Sequence, residues 1–205
     1  MRSILRAAVL LLATALPSAA QVSTWQLDPA HSAAQFSVRH MMISTVRGDF
    51  QKMTGTLLLD EKDITKSSIE VTIDATTVDT REPRRDADLR SANFLDVANF
   101  PTITFKSKSV SAAGEGRLKV IGDLTIHGVT KEVVLDVEGP TPALKMGNSQ
   151  RRGASGTTKI NRKDFGIMWS RTLDGGGMVV SEEVNITLDV EFIQRAQPAP
   201  APPQQ

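Results

Sequence analysis

From Val184 to Phe192 every even position is apolar and every odd position is polar: Val184, Ile186, Leu188, Val190 and Phe192 alternate with Asn185, Thr187, Asp189 and Glu191. A period of two predicts a strand with one buried and one wet face. The same alternation recurs upstream. Leu118, Val120, Leu124 and Ile126 share one parity, as do Val133, Leu135 and Val137. Ile69, Val71 and Ile73 alternate with Glu70, Thr72 and Asp74. Phe36, Val38 and His40 fall on one face with Ala34, and Ile103 and Phe105 mark a strand after Pro101. Glycine-bearing turns at 113–116 and 174–177 separate several of these runs. One stretch departs from the pattern. Residues 84–96, with Leu89, Ala92, Phe94 and Leu95, suit a short helix or helical turn, and Pro83 stands where a first-turn proline is tolerated.

Clean alternation with short turns predicts antiparallel sheet. Many such strands in one domain predict an all-β barrel or sandwich, and the pattern alone leaves the two open. A barrel of about eight strands has room inside for one small ligand. Its lining here would be Val, Leu, Ile, Phe and Met; a sandwich would use the same side chains to fill itself.

The two ends of the chain read differently. Arg2 and Arg6 precede an apolar run over 7–16, then Pro17 and the small residues Ser18, Ala19 and Ala20. This order predicts a Sec-type signal peptide over 1–20, cleaved after Ala20, because the apolar run is about half of what spans a bilayer. Losing Arg2 and Arg6 takes the formal charge from +1 to −1. Residues 21–195 are then one exported domain with no transmembrane segment, expected in a bacterial periplasm. Residues 196–205 hold four prolines and no branched apolar side chain, which predicts an extended or disordered tail.

Composition narrows the chemistry. With 24 basic and 23 acidic residues the chain has no basic excess for nucleic acid. It has no Cys, which excludes disulfides, thiolate metal sites and cysteine nucleophiles. It has no Tyr and few aromatics, so rows of stacking rings are not expected. No Gly-x-Ser-x-Gly elbow or phosphate-cradling Gly-Lys loop occurs. His31, His40 and His127 lack the helical spacing of a metal motif, and His31 and His40 differ in strand parity. They read as structural or head-group hydrogen bonders, with no metal and no cofactor expected. Arg81, Arg84, Arg85, Asp86, Asp88 and Arg90 form a charged constellation. Arginine forks suit an anion; Arg81 and Arg84 read as solvated surface, while for Arg85, Asp86 and Arg90 mutual salt bridging and a site role read equally. The Asn185-Ile-Thr187 sequon is discounted on a bacterial strand.

Five blocks in order resemble the polyisoprenoid-binding YceI-like family. They are Trp25-Gln-Leu-Asp28-Pro29-Ala-His31-Ser32 with Phe36-Ser-Val38-Arg39-His40, then Val46-Arg-Gly48-Asp-Phe50. Next comes Arg85-Asp86-Ala-Asp88-Leu89-Arg90-Ser91 with Phe94-Leu-Asp96-Val97 and Phe100-Pro101-Thr-Ile-Thr-Phe105. Gly122-Asp-Leu124-Thr-Ile-His127-Gly128-Val-Thr130-Lys131 and Asn161-Arg-Lys-Asp164-Phe165-Gly166 complete the set. The resemblance implies a lipocalin-like antiparallel barrel, which resolves the choice against a sandwich. It also implies a long isoprenoid or amide lipid in the interior and a secreted, usually periplasmic protein without catalysis. One position departs: Asp88 stands where the family usually has His. A carboxylate there makes a diphosphate head less welcome and a neutral head, such as a quinone or an amide, more so.

The expected tail lining is Phe36, Val38, Phe50, Phe105, Val120, Leu124, Ile186 and Leu188, and the expected head-group residues at the mouth are Arg39, His40, Asp86, Asp88 and Arg90. Two other functions compete with a lipid carrier. One is an enzyme on such a lipid, with Asp86, Asp88 and His40 or His127 as acid and base. The other is a structural or stress protein whose barrel is filled by its own side chains. The partners expected are the lipid and, among assemblies, a homodimer.

Overall fold

The computed structural model describes residues 22–174 and 176–195. The predicted signal peptide, up to Ala20, and the Pro-rich tail at 196–205 lie outside the described residues. The elements in chain order are β1 (Val22–Leu27), β2 (Ala33–His40), β3 (Ser44–Phe50), β4 (Met53–Asp60), β5 (Ser68–Asp74), β6 (Val78–Asp79), α1 (Pro83–Arg90), β7 (Thr102–Ala112), β8 (Arg117–Ile126), β9 (Val129–Glu138), β10 (Leu144–Met146), β11 (Ser149–Asn161) and β12 (Val180–Arg195). All ladders are antiparallel, and β11 pairs with both β9 and β12, so the sheet closes into an eight-stranded barrel.

Three of the eight staves are each built from two strands. β1 and β2 follow one another along the same edge of β12, with Leu27 opposite Phe192 and Ala33 opposite Asp189. Between them a 3-10 turn, Pro29–His31, sidesteps the ladder, capped by the Asp28 carboxylate on the Ala30 N–H. β3 and β4 jog likewise at Gln51 and Lys52, and β5 and β6 at the 3-10 turn Ala75–Thr77, capped by Asp74. Gln51 donates to the Thr77 carbonyl and Asp74 to that of Lys52, so two of these breaks lie side by side as a crease.

The meander gives the barrel two unlike ends. The helix end carries the β2–β3 turn (41–43), α1, the His127–Gly128 turn and the β11–β12 connection (162–179). The terminal end carries Val22, Arg195, the β4–β5 and β7–β8 turns and the segment around β10. Helix α1 is shorter than the predicted 84–96. Glu82 caps its start through the Arg85 N–H, and Ser91 ends it by donating to the Asp88 carbonyl from both N–H and Oγ. Residues 91–99 continue as turns that bury Phe94.

Packing follows the period-two reading. Trp25, Leu59 and Phe192 form a core at the terminal end. Phe94, Ile103, Leu124, Ile126 and Phe165 form one beneath the helix. Val110, Val120 and Leu135 join along one wall. Two strand glycines make room for aromatic rings. A Cβ on Gly48 would lie 2.6 Å from the Phe36 ring, and one on Gly122 would lie 2.5 Å from the Phe105 ring and 2.6 Å from the Lys106 carbonyl oxygen. At Gly122 the obstacle is partly backbone, which does not yield as a side chain does. Gly122→Ala is therefore expected to cost about 1–3 kcal/mol of stability by overpacking, read as a lower urea midpoint; an unchanged midpoint would show that the Phe105 ring is free to turn aside.

Candidate functional site

Side chains at alternate positions of every stave point inward, and they leave the interior only partly filled. One cavity of about 590 Å³ runs between the two ends. Phe36, Val38, Phe50, Phe105, Val120, Leu124, Ile186 and Leu188 all border it. They sit there because cross-strand register brings the inward parity of neighbouring strands together, Phe36 opposite Ile186 and Phe105 opposite Leu124. Part of the free space faces β11, whose inward residues Ala154, Gly156 and Thr158 are small. That strand escaped the hydrophobic pattern because its inward residues are not hydrophobic enough to make one.

The two ends of the cavity differ. At the helix end it reaches the exposed side chains of Arg84 and Asp88. At the terminal end every bordering residue is buried or half-buried. Arg152 lies 5.0 Å from the centre of the buried Trp25 ring, donates to the Thr141 carbonyl at 3.1 Å and pairs with Glu61 at 2.6 Å. A guanidinium over an indole face, with its two terminal nitrogens in hydrogen bonds and its buried Nε unpartnered, lies across this end.

The charged constellation at the helix divides by helical face. Arg84, Arg85, Asp88 and Leu89 border the cavity. Asp86 and Arg90, one turn apart, face the other way. The buried Asp86 carboxylate accepts from both the N–H and the hydroxyl of Thr80, and Arg90 donates to the carbonyls of Thr76 and Val78 at 2.7 and 2.6 Å. Arg85 donates to the Thr80 hydroxyl and carbonyl. These bonds strap α1 to the 76–80 segment and hold it across the barrel end. Three expected mouth residues are thus engaged elsewhere: Asp86 and Arg90 in the strap, and Arg39 on the outer face, where it donates to Met42 and Thr45. None of the three borders the cavity, whereas His40 and Asp88 do. Arg84, read from the sequence as solvated surface, borders it too, one helical turn from Asp88. Arg162 is a second addition. It is 4% exposed, it donates to the carbonyls of Ile167 and Ser181, and burial lowers its pKa. His127 takes a left-handed turn and packs its ring edge-on against Phe100, 4.8 Å away.

A separate polar cluster sits at the β1–β2 jog. His31 Nδ1 lies 3.1 Å from Asp28, and Arg151 donates to Asp28 at 2.8 Å and to Glu191. Ligand atoms of Asp28, His31 and Glu191 lie within 4.8 Å of one another. The guanidinium of Arg151 already supplies the positive charge between the two carboxylates, so the group is an ion-pair network tying the jog to β11 and β12. The hydrogen bond with His31, and then that from Arg151, hold the Asp28 pKa at about 2, below the usual carboxylate range. A depressed carboxyl pKa stabilises the fold above the unfolded value and loses that contribution as pH falls toward the folded one. Stability should therefore drop between about pH 5 and pH 2. Asp28→Asn should cost about 1–2 kcal/mol at pH 7 and flatten that acid limb in urea titrations; a variant with the wild-type acid limb would place the sensitivity elsewhere.

Known proteins share this architecture. The YceI-like domain matches residues 25–192. A UPF0312 protein of Vibrio cholerae serotype O1 is 36% identical over 197 residues, 95% of this chain and 100% of the relative. A YCEI protein of Campylobacter jejuni, known from its crystal structure, is 28% identical, with a TM-score of 0.66 over 77% of this chain and 90% of its own. A polyisoprenoid binding domain from Saccharophagus degradans, implicated in plant cell wall breakdown, is 16% identical and shares the fold, with a TM-score of 0.61 over 84% of this chain and 98% of its own. Among the described residues no helix is long and apolar enough to cross a membrane.

Proposed function

The chain belongs to the YceI-like family, and from that premise we propose that it is an exported, periplasmic carrier that holds a long-chain isoprenoid or related amphiphilic lipid inside its barrel. The observation that carries this reading is the apolar cavity of about 590 Å³ along the barrel interior. A barrel serving only as a structural element would fill that space with its own side chains. The binding named for the Saccharophagus degradans domain, which has the same fold, supports the same class of ligand.

The energetics favour an apolar chain. Each buried CH₂ contributes about 0.8 kcal/mol, so a lipid tail binds without much help from its head. A few polar groups at one end then fix orientation. Arg84 and Asp88 are suited to that task because they lie on one helical face where the cavity meets the surface. The protein acts here as a binder rather than a catalyst. Enzymatic use of the lipid would require an acid–base pair in hydrogen-bond reach of it, and turnover of added lipid separates the two readings.

Native mass spectrometry of the full-length protein purified from its own host should show a bound species that extracts as a long apolar lipid. Ile186→Asp, which sets a carboxylate among the lining residues, should abolish that retention in protein whose circular dichroism is native; retention unchanged in the folded variant would remove the cavity from the site. Head-group choice is tested at Asp88. Its carboxylate repels a diphosphate by about 1 kcal/mol or more where solvent is partly excluded. Asp88→His should raise affinity about fivefold or more for a diphosphate-headed isoprenoid and barely alter it for the same chain with a neutral head. Equal shifts for both ligands would place Asp88 away from the head.

A further inference from the structure

The helix end of the barrel carries an exposed apolar tip. In the β2–β3 turn Met42 is 57% and Ile43 78% exposed, and Met168 in the neighbouring 162–179 connection is 60% exposed. The two segments touch through backbone. Met41 donates to the Val179 carbonyl, and Val179 to that of Arg171. Met41 and Met42 both hold left-handed backbone, with φ of 51° and 61°, which is unfavourable for non-glycine residues. Arg39 clamps that turn by donating to the Met42 carbonyl at 2.6 Å and to Thr45 Oγ1 at 3.0 Å. The protein thus maintains a strained turn that presents large apolar side chains to water.

Unpaired arginines outnumber unpaired acids around the tip. Among the described residues Arg39, Arg47, Arg81, Arg84 and Arg171 make no ion pair, whereas Arg117, Arg151 and Arg152 at the terminal end are each paired with a carboxylate. Several acids near the helix end are committed to their own chain: Asp79 accepts from the Arg81 N–H, Glu82 caps α1, and Asp88 accepts from Asn93, whereas Asp164 and Asp174 are exposed in the 162–179 connection that also carries Arg171. Arg39 and Arg47 lie on the outer face of the β2–β3 hairpin just below the tip, opposite Thr45 and Ser37 in the ladder. Apolar side chains projecting beyond unpaired guanidinium groups match a lipid–water interface. The side chains enter the acyl boundary while the cations meet phosphates.

We propose that the helix end docks on the surface of an anionic lipid bilayer, with Met42, Ile43 and Met168 entering the interface and Arg47 and Arg171 meeting the lipid phosphates. This contact stands on the exposed rim and does not depend on what the cavity holds, because Met42, Ile43 and Met168 do not border it. It sets the end at which the cavity reaches the surface against the membrane.

Cosedimentation of the full chain with vesicles tests it. The wild type should bind vesicles of phosphatidylcholine mixed with phosphatidylglycerol, and less well at high salt. Arg47→Gln with Arg171→Gln should weaken that binding about 25-fold, at roughly fivefold per arginine, and leave the weak binding to pure phosphatidylcholine unchanged. Ile43→Asp should weaken binding to both vesicles about tenfold or more. These side chains are exposed, so thermal unfolding should match the wild type. Failure of the wild type to sediment with the mixed vesicles, or wild-type binding by Ile43→Asp, would overturn the proposal. So would a dimer in sedimentation velocity that Ile43→Asp dissolves while vesicle binding is absent, which would assign the tip to a second copy. Bound lipid measured on the same preparations keeps the carrier reading separate, because its loss or retention follows the cavity and not the tip.

Discussion

The structure depends on the closure of one sheet on itself. β12 is the last strand, yet it runs along β11 from Ser149 opposite Arg195 to Asn161 opposite Glu183, and with its other edge it receives both β1 and β2. Closure satisfies the backbone groups that an open sheet would leave along its flanks. It also converts alternation along each strand into a distinction between inside and outside. An apolar side chain at inward parity then has nowhere to go but the interior, and the cavity is what remains when those side chains do not fill it.

The strands that alternate strongly were legible from sequence. Val184–Phe192, Ile69–Ile73 and Leu118–Ile126 fixed which residues face the interior, and Phe36 and Val38 followed from the same parity. β11 was not legible, because Ala154, Gly156 and Thr158 are inward residues without hydrophobic contrast. Those small side chains are part of why there is space inside. The sequence signal for a strand and the structural requirement for a cavity therefore work against each other at this stave.

The candidate head-group residues show a different limit. Both Asp86 with Arg90 and Arg84 with Asp88 stand one helical turn apart, so sequence spacing treats the two pairs alike. Which pair faces the cavity depends on which side of α1 the 76–80 segment passes, and that is a property of the chain's path. Arg152 posed the same difficulty. As one of two adjacent arginines it reads as surface charge, and only the position of Trp25 on β1, two staves away past β12, gives it a reason to point inward.

Arg152 over Trp25 lies across the terminal end of the interior. The interior therefore has a depth between the two ends, and depth is a measure of length. For an extended guest anchored at the helix end, each added unit brings its far terminus nearer to the indole, until a further unit must fold back or stay outside. For such a guest the barrel would act as a ruler, with its zero at α1 and its far mark toward Trp25.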